Sequence, residues 1–506
     1  MFSFLRCCCL NTEIEEKGNE GVLGAILKLP LVENDAYLED SRLPGAVVVL
    51  TDARDAVFSR DLAHAYKSLS ISCLSDELLA GKLSTLPFLP NLSHWKFEVH
   101  PQGRGGQGPI DFEPHFQAYR HSLRSVQVVL TEAVADHESL PIAQTVDSIA
   151  RSMRLLRSLD RVIFQVPELP TSLLEDSRQY TYVRYMDLCC DAFAAQELVF
   201  HAPNLEIFKL CESDSQSRIG SLNLQSSMKL RKLVVKAHRQ VSLHSSNPQL
   251  KWVELNLVDH VVGDLSSVLF LTVLTCKNAH AVIGGCRPSL RELRVGDATS
   301  DTPQIVDISE VQVLSLDQIK GLVFRQAPNS ILEVAELTNV WFTEGQQLLC
   351  PKRLRLESFG LPQNITPMSS HINFRAVTHL AIQAPQLDEF LWESVLDGIK
   401  DQLVFFATDV LLRAELFPMR SLQILALASS ECFRFASICL ACPNKTPLSL
   451  IALLSDDRNV DRKSVRMLQE EFCETILLPE HTPENHTKSL FRTYAGVTCN
   501  LMLQKD

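Results

Sequence analysis

Apolar residues recur along this chain at one spacing, apolar-x-x-apolar-x-apolar, most often with leucine in the first position. The last two apolar positions are two residues apart, so both side chains point to the same side of a short strand, and the residue between them points to the other side. Clear copies occupy residues 159–164, 205–210, 230–235, 250–255, 290–295, 311–316, 377–382 and 422–427, and weaker copies begin at 66, 92, 123 and 332. The pattern predicts a series of short strands, each with one apolar face.

The spacing of the copies predicts that these strands stack as a repeat. Copies in the middle of the chain begin at residues 230, 250, 290, 311 and 332, and a degenerate copy at 270–273 divides the one long step. A unit of about 20 residues cannot bury its apolar face alone, so neighbouring units must stack and build a continuous core under a parallel sheet. A second apolar patch follows each strand, at 241–243, 282–283, 305–306 and 322–324, and predicts a short strand or turn on the opposite side.

The units nearest the N-terminus are longer, and their added residues have the spacing of helices. Ser75, followed by two acidic residues, suits a helix start, and Pro87 suits its end. Residues 112–123 form another candidate helix. The apolar residues at helical spacing in the unit before residue 159 are Val146, Ile149, Met153 and Leu156. These units therefore predict alternating strands and helices.

In these features the chain resembles the leucine-rich-repeat family, and its first third resembles the ribonuclease-inhibitor-like members. The resemblance spans roughly residues 66–454. It implies an α/β solenoid with a curved parallel sheet and with helices, turns or short strands on the convex side. The family usually places Asn or Cys three residues after the last apolar position, where this chain has Pro167, Ser213, His238, Val258, Ala298 and Ile319. The expected fold is an irregular leucine-rich-repeat solenoid without an asparagine ladder.

Three segments are expected along the chain. Residues 1–45 are acidic and weakly periodic, and predict a weakly ordered N-terminal segment. Residues 46–454 predict the solenoid, and residues 455–506 predict a helical cap over its last repeat. The apolar face of the predicted cap helix, which starts at Asp461, is formed by Val465, Leu468, Phe472 and Ile476.

Composition narrows the function classes. The 506 residues carry a formal net charge of −12, which disfavours general nucleic-acid binding because that needs a basic surface. The 15 cysteines have no disulfide-like spacing, the N-terminus lacks the apolar core of a secretory signal, and no apolar window reaches the roughly 18 residues of a membrane span. A cytoplasmic protein is expected, with a nuclear or membrane-tethered location as alternatives.

Two motifs are candidate sites of chemistry. Residues 103–108 match G-x-G-x-x-G, but Pro109 follows at once and the predicted helix starts later, so a loop is favoured over nucleotide binding. Cys432, Cys439 and Cys442 lack a fourth nearby zinc ligand, which favours buried repeat cysteines. Without a catalytic or metal motif, the sequence predicts no catalytic residues, no metal and no cofactor.

The N-terminal cysteines offer a modification site. Cys7, Cys8 and Cys9 follow Arg6 and could be S-acylated, which would attach the protein peripherally to a membrane. Phe2 stands where myristoylation needs glycine, so that modification is excluded. The alternative is an unmodified tail.

Outward positions between the apolar ones predict a binding surface, because stacked strands align them. The residues expected to contact a partner are Lys232, Lys236, Trp252, Glu254, Arg291 and Arg294. Trp and Arg are typical anchors in protein interfaces. The expected function is a non-enzymatic scaffold that binds a protein partner of unknown identity.

The sequence leaves two alternative functions open. One is the substrate adaptor of a ubiquitin ligase, since Leu43-Pro44 resembles the start of an F-box module, although the strand-like residues 47–50 depart from its helical pattern. The other is a nucleotide-dependent enzyme built on the glycine loop.

Overall fold

The computed structural model falls into two compact units, divided near residue 270. The N-terminal unit includes 30–269 and 285–287, and the C-terminal unit includes 270–284 and 288–506. The structure describes residues 46–51, 63–73, 88–99, 111–130, 140–170, 172–173, 180–190, 197–212, 219–236, 238–276, 278–286, 289–327, 330, 332–340, 349–357, 372–383, 396–408, 419–427, 450–453 and 475–477.

The N-terminal unit is built on a main sheet in which each strand pairs with the strand of the next repeat, always in parallel. The described strands of this sheet are β1 (Ala46–Thr51), β2 (Tyr66–Cys73), β3 (His94–Val99), β4 (Ser125–Leu130), β5 (Arg161–Gln165), β6 (Tyr185–Cys190), β8 (Ile207–Glu212), β10 (Lys232–Lys236) and β12 (Trp252–Asn256). The strands predicted from the repeated pattern are confirmed, and β6 is one that the sequence analysis missed.

A second parallel sheet lies in the same unit. Its strands are β7 (Glu197–Val199), β9 (Ile219–Leu224), β11 (His238–Leu243) and β13 (His260–Val262), paired in that order. Leu198, Leu222 and Val241 are in register and buried. The predicted second apolar patch at 241–243 is therefore confirmed as a strand.

Helices fill the longer N-terminal repeats. They are α1 (Glu113–Ala118) and α2 (Leu140–Ser152), and a 3-10 turn (Met153–Leu155) follows α2. All four residues of the predicted apolar face around α2 are buried, which confirms the helical spacing. The predicted helix at 75–87 lies outside the described residues.

An aromatic cluster holds α1 against the main sheet. The fully buried Trp95 of β3 stacks on Phe97 and on Phe116 of α1, with ring centroids 5.0 and 5.3 Å apart. Tyr119, just after α1, meets Trp95 edge-on at 6.0 Å, and its hydroxyl accepts a hydrogen bond from the Leu89 backbone N–H. The large rings of β3 are covered by the rings of α1 and Tyr119, so the helix in this repeat buries them.

The C-terminal unit repeats the same plan. Its main-sheet strands are β14 (Phe270–Leu274), β15 (Glu292–Gly296), β17 (Val313–Asp317), β19 (Leu332–Thr338), β20 (Pro351–Glu357), β21 (His379–Gln383), β22 (Phe405–Thr408), β23 (Ile424–Leu427), β24 (Leu450–Leu453) and β25 (Thr475–Leu477). They pair in parallel in that order. A second sheet pairs β16 (Thr299–Asp307) with β18 (Lys320–Arg325), and the unit also contains α3 (Ala279–Gly285), a 3-10 turn (Phe374–Ala376) and a helical segment at 396–399.

Both units therefore confirm the predicted fold class, an irregular α/β solenoid of stacked parallel strands. Two local predictions are wrong. Val282 and Ile283 lie in helix α3, where a strand or turn was expected, because both are buried on one side of a helical turn. Ile476 lies in strand β25 and not in the predicted cap helix, because residues 475–477 pair with β24 and add one more parallel strand to the sheet. The rest of that predicted helix lies outside the described residues.

The turn that follows each strand explains the missing asparagine ladder. One residue in each of five such turns has a positive φ between 49° and 59°, namely Leu257, Thr275, Asp297, Gln318 and Asn339. The next residue is apolar or cysteine and buried in each case, namely Val258, Cys276, Ala298, Ile319 and Val340. The backbone N–H groups of Thr275, Asp297 and Gln318 donate to a carbonyl of the following repeat at 2.9 to 3.0 Å. In these three turns, backbone hydrogen bonds to the next repeat hold the turn without a side-chain partner.

The turn that leads into each strand, here called the leading turn, joins each repeat to the one before it. The backbone N–H groups of Lys251 and Trp252 both donate to the Arg231 carbonyl, at 2.9 and 3.1 Å. Those of Arg231 and Lys232 both donate to the Glu206 carbonyl, at 2.7 and 3.1 Å. This forked bond fixes the register of neighbouring strands.

Candidate partner-binding face

The main sheet of the N-terminal unit has a core side and an opposite side, here called the outer face. In β10 the core side chains Leu233 and Val235 are fully buried, whereas Lys232, Val234 and Lys236 are half-buried on the outer face. This alternation follows from the pleat of a strand. The sequence predicted it from the motif, and the prediction is confirmed.

Strict register aligns the outer residues into rows across the repeats. The first row is Ser68, His94, Ser125, Arg161, Tyr185, Ile207, Lys232 and Trp252. The second row is Ser70, Lys96, Gln127, Ile163, Asp187, Lys209, Val234 and Glu254. The predicted site residues Lys232, Trp252 and Glu254 therefore fall at the same end of these rows.

Trp252 is held in place by a cation and a carboxylate. The Lys232 Nζ lies 5.1 Å from the centroid of the Trp252 ring, a cation–π arrangement. The Trp252 Nε1 donates to the Glu254 Oε1 at 2.5 Å. Lys236 is in register with Asn256 at the far end of the same two strands. Four of the six predicted residues thus form one group on the outer face of β10 and β12.

The other two predicted residues belong to the C-terminal unit. Arg294 lies in the middle of β15, and its Nε donates to the Glu292 Oε1 at 2.8 Å. Arg291 precedes β15 in the leading turn, and its guanidinium contacts the Glu310 carboxylate at 3.2 Å and the Glu310 carbonyl at 3.1 Å. Arg291 therefore does not occupy the mid-strand position of Arg294.

The outer face also carries an apolar cluster that was not predicted from the sequence. Ile163, Tyr185 and Ile207 pack together and are buried, with exposed fractions of 4%, 2% and 0%. The Arg161 guanidinium and the Lys209 ammonium lie 5.1 and 5.6 Å from the centroid of the Tyr185 ring. A signal existed, because Ile163 and Ile207 occupy motif positions where most other copies carry a polar residue. Both aromatic rings of the outer face between β5 and β12, Tyr185 and Trp252, therefore lie against cations.

The buried His94 and the half-buried His379 occupy equivalent positions at the starts of strands β3 and β21. The Nδ1 of His94 lies 2.8 Å from the Ser93 hydroxyl, and the Nδ1 of His379 lies 2.9 Å from the Thr378 hydroxyl. Burial, followed by the charges of Arg161 and Arg124, lowers the pKa of His94 to about 4. Burial, followed by the charge of Arg353, lowers the pKa of His379 to about 4. Both rings are therefore neutral in the folded chain at neutral pH.

Acidification is expected to destabilise the fold through these histidines. Between pH 6.5 and about 4 the unfolded rings bind a proton that the folded rings do not, so stability falls as the pH falls through that window. With allowance for solvent screening, the loss is about 1 kcal/mol for each histidine. Urea midpoints at pH 7 and pH 5 measure it. The double variant His94→Gln/His379→Gln should show a smaller difference between the two midpoints, and an unchanged difference would contradict the assignment.

The remaining candidates mostly lie outside the described residues. This holds for the glycine loop at 103–108, for Cys7, Cys8 and Cys9, for Cys432, Cys439 and Cys442, and for Leu43-Pro44. The six-residue helix α1 begins only at Glu113, well after the loop, and β1 directly follows the F-box-like dipeptide as a strand. Burial raises the pKa of the Cys286 thiol to about 12, which makes it inert.

Two features are absent from the described part of the chain. No group of three or more His, Cys, Asp or Glu side chains there could hold a metal ion. No helix there has the length and apolar character to cross a membrane.

Comparisons with known proteins add little to this picture. No family model matches the sequence, and no curated protein matches it. A chain from the crystal structure of the TLR13-ssRNA13 complex is similar over 85% of this chain and 83% of that chain, at 10% identity and a TM-score of 0.21. A likeness at this TM-score carries no argument about function.

Proposed function

We propose that this chain is a non-enzymatic scaffold that binds a protein partner through the outer face of its N-terminal unit. The observation that carries the proposal is the Lys232–Trp252 pair, set in register on neighbouring strands and backed by Glu254. An aromatic ring held in a fixed orientation on a rigid sheet is a suitable interface anchor, because little side-chain entropy is lost when a partner covers it.

Charge on this face argues for an acidic partner segment. Lys209, Lys232 and Lys236 lie on neighbouring strands of this face, together with the carboxylates Asp187 and Glu254. The whole chain has a net charge of −12, so an acidic partner is repelled by most of the surface and attracted here. Such complementarity favours orientation and association rate over affinity alone.

The helices between the N-terminal strands support a finer proposal, that the first third is of the ribonuclease-inhibitor-like kind. Helices α1 and α2 each connect two successive parallel strands of the main sheet. Strand and helix alternating in this way is the pattern on which the resemblance was based.

Quantitative cross-linking and capture from cells tests the proposed face. The variant Lys232→Ser/Trp252→Ser should lose its specific partners by about 30-fold, the effect of a 2 kcal/mol anchor. The matched control is Arg239→Ser/Val262→Ser, which removes one cation and one exposed apolar side chain from the second sheet. Equal partner recovery from both variants would place binding elsewhere and overturn the proposal.

A separate variant tests the two predicted residues of the C-terminal unit. The variant Arg291→Ser/Arg294→Ser removes the ion pairs of Arg291 with Glu310 and of Arg294 with Glu292. Both arginine side chains are exposed. If these arginines bind the same partner, its recovery should fall as in the first variant. Full recovery would confine the site to β10 and β12.

A further inference from the structure

We propose that Cys189 and Cys211 form a redox-active dithiol on the outer face, which closes into a disulfide by exchange with glutathione disulfide. Cys189 lies in β6 and Cys211 in β8, and the two are direct register partners on neighbouring parallel strands. Both side chains are reduced and half-buried. Their juxtaposition is a modification site that is independent of the partner-binding proposal.

The pleat puts both thiols on the same side of the sheet. In β6 the core side holds Met186, Leu188 and Cys190, all buried, and Cys189 points the other way. In β8 the core side holds Leu210, and Cys211 again points the other way. Registered neighbours in a sheet lie about 4.8 Å apart, within the range of Cα separations that a disulfide spans. The Cα separation of the pair therefore permits a disulfide.

The surroundings allow a reagent to approach. Cys189 and Cys211 are half-buried, unlike Cys276 and Cys286, which are buried in their repeats. The residue in register on the other side of Cys189 is Gln165, which offers no competing thiol. Cys190 is adjacent in sequence, but its register partner is Glu212 and its side chain is in the core.

The exchange proceeds in two displacements. One protein thiolate attacks a sulfur of glutathione disulfide, forms a mixed disulfide and releases one glutathione. The second protein thiolate attacks the protein sulfur of that mixed disulfide, forms the Cys189–Cys211 bond and releases the second glutathione. The protein loses two electrons and two protons, and the glutathione disulfide gains them as two thiols.

The test equilibrates the full-length chain in glutathione buffers of increasing oxidised fraction. Acid quenching, alkylation and peptide mass spectrometry then assign the state of each cysteine. The expected result is a linked peptide joining Cys189 to Cys211, whose mass is lower by two hydrogens than that of the reduced pair. Cys350, half-buried in the C-terminal unit, serves as the internal standard for general oxidation.

Substitutions separate the pair from its neighbours. In Cys211→Ser, Cys189 should stop at the mixed disulfide with glutathione, and in Cys190→Ala the Cys189–Cys211 link should form as before. Three results would overturn the proposal: a link from Cys189 to Cys190, mixed disulfides alone in the unsubstituted chain, or two unreacted thiols when Cys350 is already oxidised. Circular dichroism of each variant confirms that it folds, so a missing link is not caused by unfolding.

Discussion

Replacing Trp95 with alanine is expected to lower the free energy of unfolding by about 3 to 5 kcal/mol. The indole is fully buried and lies among the rings of Phe97, Phe116 and Tyr119, so its removal leaves a cavity that rigid rings fill poorly. It would also release α1, which contacts the sheet through this cluster. Urea unfolding followed by circular dichroism measures the loss, and helical signal should disappear first.

The matched control is Trp252→Ala. This ring is half-buried on the outer face, so the same substitution removes far less packing and should cost about 1 kcal/mol or less. Comparable losses in the two variants would show that the aromatic cluster is not the organising contact of the N-terminal repeats. Trp95→Phe should lie between the two, because it keeps a ring and removes an indole N–H that has no hydrogen-bond partner.

Alanine at Gly263 is expected to destabilise the N-terminal unit by about 2 to 4 kcal/mol. Gly263 follows β13 with a φ of 136°, a conformation that residues with a side chain rarely adopt. A Cβ there would lie 2.7 Å from the Leu243 Cβ and 2.9 Å from the Leu243 carbonyl oxygen. The backbone oxygen cannot move aside as the end of a side chain can, so the second sheet must shift.

Gly284→Ala is the control for this substitution. A Cβ at Gly284 in α3 would meet nothing within 4 Å. Alanine also favours a helix over glycine by about 0.5 to 1 kcal/mol, so this variant should be slightly more stable. Thermal unfolding measures the stability of both variants. If Gly263→Ala is as stable as the original protein, Gly263 does not lie this close to Leu243 of β11.

The strands were largely predictable because their cause is local. A motif with apolar residues two apart fixes a strand and its core side wherever all three apolar positions are present. Strand β20 was missed because Pro351 takes the first position, and β22 was missed because Thr408 takes the last. In β20 and β22, pairing with the neighbouring strands stabilises the strand. This contribution cannot be seen in the local sequence of either segment.

The candidate site was predictable only in part, for a related reason. Lys232 and Trp252 are 20 residues apart, which is the length of one repeat, so their adjacency could be predicted from the spacing of the motif. The packing of Ile163 against Tyr185 and Ile207 joins repeats of unequal length, whose register depends on the insertions between them. The thiol pair on β6 and β8 was missed for a different reason. The β6 copy of the motif, Val183-x-x-Met186-x-Leu188, carries all three apolar positions but was not recognised.

The leading turns give the N-terminal unit a mechanical property. Their forked hydrogen bonds join each repeat to its predecessor, so a pull along the stack would load the repeats in series. The repeat between Lys232 and Trp252 contains 20 residues, which would extend to about 70 Å once released, whereas its strand spacing in the stack is about 4.8 Å. Under tension the unit would lengthen in discrete steps of that size and behave as an extensible tether for whatever it holds.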